Sequence, residues 1–264
     1  MATTVQLREV SVRLEDEGRG TTLLLLHGFP ATRFLWSRVA PRLVDAGFRV
    51  LIPDLVGYGE STAAAGVRID MASQAEWMFE LLDRLGVARP VLIAHDVGSA
   101  AAQLMVAGAP ARCRGLAVLD GVCAGEWAMD AIASIRAWSP AQAHRLSAVL
   151  ARRLGRSADL REMLASYAGA AGGLRLIRAA RDLDPAQTAG LGARLRACRV
   201  PAAVLWGERD GYLPIESVGR PLAELLGAPL VRLPGGHFTP LDCPAETAAA
   251  LRAFLEALPP ELQS

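Results

Sequence analysis

The fold is indicated by ten consecutive residues, VLIAHDVGSA, which run from Val91 to Ala100. The first four are apolar, as in strands that are buried on both faces of a sheet. The residues after Asp96 are small, which allows a following helix to approach the strand closely. The pattern predicts a strand, a sharp turn and a helix, with the Asp96 side chain held at the turn above the end of the sheet.

Further apolar runs predict further buried strands at residues 22–26, 49–53, 116–119, 202–205 and 230–233, after a short β pair at 5–8 and 10–14. Residues with helical periodicity separate most of these runs, at 35–46, 71–85, 98–109, 217–226 and 245–258. Strands that alternate with helices indicate an α/β domain with a doubly wound, mainly parallel sheet.

The alternation stops between residues 121 and 199. This region has amphipathic stretches at 141–153, 160–167 and 174–181 but no convincing strand. We therefore expect a core domain made of residues 1–120 and 200–264, with residues 121–199 inserted as a helical cap over the strand ends. The glycine-rich residues 169–173 predict a bend between two cap helices.

Composition excludes several kinds of function. The 264 residues carry a net charge of +1, with arginine and acidic residues interspersed, so no basic stripe predicts a nucleic-acid partner. The chain has no lysine, which excludes Schiff-base chemistry and Walker-type phosphate binding. Its four cysteines, Cys113, Cys123, Cys198 and Cys243, have neither CxxC spacing nor neighbouring histidines. We expect reduced thiols, no metal site and no cofactor.

The distribution of apolar residues argues against contact with a membrane. No segment of about 18 residues lacks charges or breaks, as a membrane-spanning helix requires. Residues 1–15 alternate polar and apolar side chains where a signal peptide has an apolar block. We expect a soluble, cytoplasmic protein that acts on a small molecule, and the sequence leaves a homodimer open.

Four further motifs accompany the aspartate turn in a fixed order: HGFP at residues 27–30, DLVGYGES at 54–61, GERD at 207–210 and GGHF at 235–238. Together they resemble the α/β-hydrolase superfamily, over nearly the whole chain. The aspartate at the turn resembles the branch of epoxide hydrolases and haloalkane or fluoroacetate dehalogenases. This resemblance implies a catalytic triad of Asp96 as nucleophile, Asp210 as acid and His237 as base. Glu208 competes with Asp210 for the role of the acid.

The chemistry of this branch explains why an aspartate can replace a serine. A carboxylate is ionised at neutral pH, so Asp96 can attack an sp³ carbon and form an ester without first losing a proton. The resemblance implies that His237 then activates water while Asp210 orients the imidazole. It also implies that the backbone N–H groups of Phe29 and Val97 stabilise the oxyanion. A role of Asp96 as a helix N-cap alone would not require the other motifs.

The electrophile is less clearly indicated than the triad. Epoxide opening makes an alkoxide, and the resemblance implies two cap tyrosines that donate to it. The expected cap contains one tyrosine, Tyr167, so the tryptophans Trp127 and Trp138 are further candidate donors, as are His144 and Tyr212.

The sequence lacks the groups that bind a halide or a substrate carboxylate in the dehalogenases it resembles. Val97 follows the nucleophile where haloalkane dehalogenases have tryptophan, the chain has no asparagine, and no arginine follows Asp96 as in fluoroacetate dehalogenases. The sequence therefore favours an epoxide hydrolase that acts on a small apolar substrate. The alternatives are a dehalogenase that uses cap tryptophans, and a lyase, cyclase or ligand-binding protein of the same fold.

Overall fold

The structure is a computed structural model that describes residues 2–122, 127, 129–154 and 157–260, without the side chains of residues 131 and 153. The cysteines at positions 113, 198 and 243 are free thiols, as expected, and Cys123 lies outside the described residues. Within the described part of the chain, no helix has the length and hydropathy needed to cross a membrane.

One sheet organises the described residues. Its strands are β1 (Ala2–Gln6), β2 (Val10–Gly18), β3 (Thr22–Leu26), β4 (Arg49–Pro53), β5 (Thr62–Ala63), β6 (Val91–His95), β7 (Gly115–Leu119), β8 (Ala202–Gly207) and β9 (Leu230–Leu233). Their order is β1-β2-β4-β3-β6-β7-β8-β9, with β5 paired to β2. Neighbours from β4 to β9 run parallel, whereas β1 and β2 form an antiparallel edge.

Helices cover both faces of this sheet. They are α1 (Ala40–Asp45), α2 (Met71–Arg84), α3 (Gly98–Gly108), α4 (Met129–Arg136), α5 (Leu146–Leu154), α6 (Ala158–Met163), α7 (Gly169–Asp182), α8 (Ala186–Ala189), α9 (Gly192–Cys198), α10 (Arg220–Leu226), α11 (Thr239–Asp242) and α12 (Pro244–Glu256). Helices α1 and α12 share one core cluster, and α2, α3 and α10 share the other. The predicted α/β fold with a doubly wound, mainly parallel sheet is confirmed.

The apolar strands form because each contributes to both clusters. On β6, Leu92 and Ala94 pack into the cluster with α2, α3 and α10, while Val91 and Ile93 pack into the cluster with α1 and α12. Alternate side chains of a strand point to opposite faces, so a strand between two helical layers must be apolar throughout. Strands β3, β4 and β9 accordingly occupy the residues that the sequence predicts.

The segment between β7 and β8 contains α4 to α9 and no strand among its described residues. The glycine-rich residues do not form the expected bend: Gly169, at φ 73°, begins α7, and the others continue that helix. They are small because α7 packs tightly on the 3₁₀ helix Pro140–Arg145, where a Cβ on Gly173 would lie 1.9 Å from the carbonyl oxygen of Ala143.

The order of the strands decides where a ligand can bind. The chain passes from β3 to β4 on one side and then to β6 on the other side of β3. In doubly wound sheets, the carboxyl ends of the strands at such a reversal border a crevice that binds ligands. Here these ends lead into His27 and Asp96, the residues that follow β3 and β6.

Candidate active site

Asp96 lies at the turn between β6 and α3 with φ 49°, in the left-handed region that non-glycine residues seldom adopt. Its backbone N–H donates to the carbonyl oxygen of Leu119 on β7 at 3.2 Å. Its own carbonyl oxygen accepts from the backbone N–H of Ser99 at 2.9 Å and from the Ser99 hydroxyl at 2.6 Å. These bonds hold a strained backbone that presents the side chain above the sheet, as the sequence predicts.

Two glycines permit the ends of β3 and β6 to meet. A Cβ on Gly28 would lie 2.4 Å from the Cβ of Asp96, and a Cβ on Gly98 would lie 2.2 Å from the carbonyl oxygen of His27. No other residue fits at these positions without moving the backbone. The close approach brings the HGFP loop directly against the Asp96 carboxylate.

The two oxygens of the Asp96 carboxylate have different surroundings. Oδ2 accepts a hydrogen bond from the backbone N–H of Phe29 at 2.8 Å, and the Val97 N–H also bonds to the carboxylate. Oδ1 lies 3.9 Å from Nε2 of His237, too far for a direct hydrogen bond. Burial raises the pKa of Asp96, while the nearby imidazole and the two N–H groups oppose this rise. The Phe29 N–H thus holds one oxygen, while the other faces His237.

Asp210 orients the base. Its Oδ2 lies 2.9 Å from Nδ1 of His237. Its Oδ1 accepts from the backbone N–H groups of Tyr212 and Leu213 at 2.8 and 3.0 Å, which fixes the carboxylate. Glu208 is exposed, whereas Asp210 is the carboxylate that bonds to His237.

The imidazole of His237 is surrounded by carboxyl groups. Burial alone would lower its pKa, but the hydrogen bond to Asp210 and the negative charges of Asp96, Asp210 and Asp120 raise it to about 9. The free protein therefore holds His237 protonated at neutral pH. Removal of the Asp96 charge would lower the pKa of His237 and so favour the neutral imidazole.

The histidines at positions 95 and 27 support this arrangement from within the core. Nε2 of His95 lies 2.7 Å from the backbone oxygen of His237, and its ring centroid lies 4.9 Å from that of His237. Nε2 of His27 accepts from the N–H of Leu55 at 2.9 Å. Burial lowers the pKa of both side chains. A neutral His95 therefore donates to His237 and fixes the backbone of the base.

Asp120 is a site residue that the sequence analysis missed. It is fully buried, follows β7 as Asp96 follows β6, and also has a positive φ of 44°. One oxygen accepts from the N–H of Gly207 at 2.6 Å, and the other accepts from the hydroxyl of Thr239. Burial raises the pKa of Asp120 to about 8 despite the opposing charge of His237. Asp120 thus joins the loop of Asp210 to the loop of His237. The sequence feature that could have indicated Asp120 as a site residue is its position directly after a predicted parallel strand.

A small cavity of about 80 Å³ opens above Asp96. Its described lining residues are Phe29, Pro30, Asp96, Ile132, Ile135, Leu150, Leu154, Tyr212, His237 and Phe238. The wall that α4 and α5 contribute is entirely aliphatic. Among the described lining residues, the polar side chains are those of Asp96, His237 and Tyr212.

The predicted cap donors do not line this cavity. The Tyr167 hydroxyl donates to the carbonyl oxygen of Ala31 at 3.0 Å and accepts from the N–H of Gly59 at 3.2 Å. The indole N–H of Trp127 donates to Thr188 at 3.0 Å. Trp138 packs half-buried against the core. These three side chains are thus bonded or packed outside the cavity, and their role as donors to substrate stays a prediction.

Size alone does not identify the site, since a larger cavity of about 510 Å³ lies elsewhere and contains none of the triad. Its charged residues satisfy one another: Arg33 bonds to Asp54, Glu15 and Glu60. Within the described chain, no cluster of three or more potential metal ligands occurs.

A titration of the histidines tests the electrostatics of the site. In wild-type protein, NMR of labelled imidazoles should show His237 changing from protonated to neutral near pH 9 as the pH rises. In Asp96→Asn the midpoint should move to lower pH, because one negative charge is lost. The exposed carboxylate variant Asp83→Asn should leave the midpoint unchanged. A His237 midpoint at or below 6.5 in the wild type would contradict this description.

A second prediction concerns Asp120. Asp120→Ala should lower the free energy of unfolding in urea by about 1–3 kcal/mol, because two buried donors lose their acceptor. Asp120→Asn should lose less, since an amide can still bond to both partners. The control is Asp242→Ala, which removes an exposed acceptor of the Gly236 N–H in the same loop. Equal stability of the two alanine variants would show that Asp120 does not join the loops.

Comparison with known proteins agrees with the fold. A family model described as the α/β hydrolase fold matches residues 21–158, just over half of the chain. Bifunctional epoxide hydrolase 2 of Sus scrofa is 36% identical over 112 residues, which cover 42% of this chain and 20% of the relative. A fluoroacetate dehalogenase of Burkholderia sp is 36% identical over 120 residues, or 44% of this chain and 39% of the relative.

The matched part thus spans less than half the length of these curated relatives. Among solved structures, an α/β hydrolase fold protein from Burkholderia ambifaria superimposes with a TM-score of 0.81 at 24% identity, covering 94% of this chain and 96% of the other. This likeness concerns the fold alone. Together with the family match, it shows that the chain belongs to the α/β-hydrolase fold family.

Proposed function

We propose that this protein is a hydrolase that opens a small epoxide through a covalent ester on Asp96. The observation that carries the proposal is the position of the Asp96 carboxylate at the base of the cavity. Oδ2 is bonded to the Phe29 N–H and Oδ1 faces His237. The similarity to proteins named epoxide hydrolase and dehalogenase supports it. The segment of residues 121–199 serves as the cap, since α4 and α5 supply one wall of the cavity.

In the first step, Oδ1 of Asp96 attacks an epoxide carbon. A carbon–oxygen bond forms to the carboxylate while the carbon–oxygen bond of the ring breaks. The ring oxygen keeps the electron pair and must receive a proton. The Phe29 N–H on Oδ2 holds the carboxylate in one orientation, so Oδ1 already faces the substrate before the attack.

In the second step, water attacks the ester carbonyl carbon of Asp96. His237 removes a proton from this water, and Oδ2, now the carbonyl oxygen, becomes negative beside the N–H groups of Phe29 and Val97. Formation of the ester has cancelled the Asp96 charge, which lowers the pKa of His237, so the imidazolium releases its proton to solvent and the neutral imidazole can act as a base. His237 takes a proton back from solvent when the Asp96 carboxylate is restored. The diol leaves with a proton from His237, and the carboxyl proton passes to solvent.

The lining of the cavity favours an epoxide over a halide. Among its described lining residues, no tryptophan, asparagine or arginine is available to hold a halide ion or a substrate carboxylate. A hydroxyl donor is present, and an alkoxide needs one. Elimination or cyclisation by the His237–Asp210 pair alone would not require an aspartate at the strained turn.

The substrate that fits is small and apolar. The cavity volume of about 80 Å³ is well below the roughly 300–1,000 Å³ of sites for drug-sized ligands. Four aliphatic side chains at positions 132, 135, 150 and 154 would surround the hydrocarbon part. We therefore expect a four-carbon epoxide to be turned over faster than a bulky aromatic one.

The proposal predicts that His237→Gln traps the ester. Exposure of this variant to 1,2-epoxybutane should increase the intact mass by one substrate molecule, because the first step proceeds while water is no longer activated. Peptide mapping should place the added mass on Asp96. The control is His144→Gln, since His144 is an exposed histidine outside the cavity; it should form diol and retain no adduct.

Two outcomes would contradict the proposal. One is an unchanged mass of His237→Gln with an epoxide that the wild type converts to diol. The other is an adduct on a residue other than Asp96. Release of bromide from 1-bromobutane, faster than diol formation from 1,2-epoxybutane, would favour the dehalogenase instead.

A further inference from the structure

The hydroxyl of Tyr167 bonds the helical segment of residues 121–199 to two loops beside the nucleophile. We propose that Tyr167 is a positioning residue, whose hydroxyl keeps the backbone N–H of Phe29 in place against Oδ2 of Asp96. The inference rests on the proposed function, because this N–H acts in the reaction only if Asp96 forms the ester. It goes beyond that function, since it makes the alignment of an oxyanion donor depend on the helical segment.

Two backbone groups bond to this hydroxyl. It donates to the carbonyl oxygen of Ala31, which follows the HGFP loop, at 3.0 Å. It accepts from the N–H of Gly59, in the loop of residues 54–61, at 3.2 Å. Tyr167 is fully buried, and burial raises the pKa of its phenol, so the proton that Ala31 accepts is retained at neutral pH. The phenol therefore holds the two loops together.

The bond to Ala31 acts on a short turn that contains the oxyanion donor. The Ala31 N–H donates to the carbonyl oxygen of Gly28 at 3.0 Å, which closes the turn around Phe29. Within the turn, the Phe29 N–H donates to Oδ2 of Asp96 at 2.8 Å. The phenol thus fixes the end of the turn and the carboxylate fixes its middle, so a shift of Ala31 would also move the Phe29 N–H.

The bond to Gly59 restrains Phe29 by a second route. Tyr58 precedes Gly59, and its ring meets the Phe29 ring edge-on, with centroids 6.4 Å apart at an interplanar angle of 85°. Edge-to-face pairs of this kind are favourable, which gives the Phe29 side chain a preferred position. The same phenol oxygen therefore restrains Phe29 through its backbone and through its ring.

The glycine-rich residues 169–173 hold Tyr167 in this position. A Cβ on Gly172 would lie 2.4 Å from the carbonyl carbon of Tyr167 and 2.6 Å from its Cα. The start of α7 can pack against the backbone of Tyr167 only because residue 172 has no side chain. The glycines thus contribute to the placement of the phenol, at a site where the sequence predicts a bend.

A misplaced Phe29 N–H should affect the two chemical steps differently. In the first step the Asp96 carboxylate loses its charge, so its bond to this N–H weakens as the ester forms. In the second step Oδ2 becomes negative, so the same bond is strongest in the transition state. Loss of the Tyr167 hydroxyl should therefore slow ester hydrolysis more than ester formation.

Hydrogen exchange of the Phe29 amide tests the positioning without any substrate. In ¹⁵N-labelled Tyr167→Phe, this amide should exchange at least about 10-fold faster than in the wild type, because the turn that holds it opens more often. The matched control is Thr188→Val, which also removes a buried hydroxyl that accepts from an N–H and donates to a carbonyl oxygen, at 3.0 and 3.2 Å. In that variant the Phe29 exchange rate should stay within about threefold of the wild type.

A second measurement separates the two chemical steps. With 1,2-epoxybutane, Tyr167→Phe should have a kcat at least about 10-fold below the wild type, and more of the enzyme should be present as the ester when turnover is quenched. Added to His237→Gln, the same substitution should change the rate of mass gain by less than about threefold, because ester formation depends less on the N–H. Thr188→Val should leave both measurements within about threefold of their parents.

Each outcome decides the inference. Phe29 exchange no faster in Tyr167→Phe than in Thr188→Val would overturn it, whether or not the protein opens epoxides. Faster exchange with an unchanged kcat and ester fraction would overturn it as well. A mass gain slowed by about 100-fold in the double variant would mean that Tyr167 donates to the ring oxygen instead. A His237→Gln protein that gains no mass, with faster Phe29 exchange in Tyr167→Phe, would overturn the proposed function and leave the restraint on Phe29 in place.

Discussion

The hydrogen bond from the Phe29 N–H to Oδ2 of Asp96 is the interaction on which the site depends. It joins the ends of β3 and β6, where the strand order reverses and a crevice opens. It exists only because Gly28 and Gly98 allow the two loops to approach within the space that a Cβ would occupy. The strained backbone of Asp96, the direction of its side chain and the orientation of its two oxygens all follow from this contact.

The second organising feature is one imidazole among three carboxyl groups. His237 bonds to Asp210, lies near Asp96 and is influenced by the buried Asp120. Such a cluster favours the imidazolium until one negative charge is lost. Ester formation at Asp96 removes that charge, so the first chemical step would itself prepare the base for the second. The charges around His237 in the free protein would therefore favour ester formation before water activation.

Much of this arrangement could be predicted from the sequence, because local constraints specify it. Strands buried on both faces must be apolar, and motifs such as GGHF place functional residues at strand ends, so the sheet and the triad positions could be located. Asp120 was missed because its importance comes from contacts with Gly207 and Thr239, which are distant in sequence.

Side chains of the helical segment were harder to predict for the same reason. Tyr167 ends an amphipathic stretch and Trp127 lies before the first one, and the sequence does not reveal the tertiary partners of either side chain. The glycine-rich residues 169–173 predict a bend between two helices, but they are part of α7, which packs tightly on the 3₁₀ helix Pro140–Arg145. Periodicity indicates which face of a helix is buried, whereas the partner of a single hydroxyl or indole depends on how the helices pack.

The most direct measurement of the central claim is a single turnover in H₂¹⁸O with enzyme in excess over 1,2-epoxybutane. If water attacks the ester carbonyl of Asp96, one ¹⁸O atom should enter that carboxylate, and the first equivalent of diol should contain no label. The peptide that contains Asp96 and the diol are both analysed by mass spectrometry. Labelled diol with an unlabelled Asp96 peptide would mean that water attacks the epoxide directly, and would contradict the role of Asp96 as nucleophile.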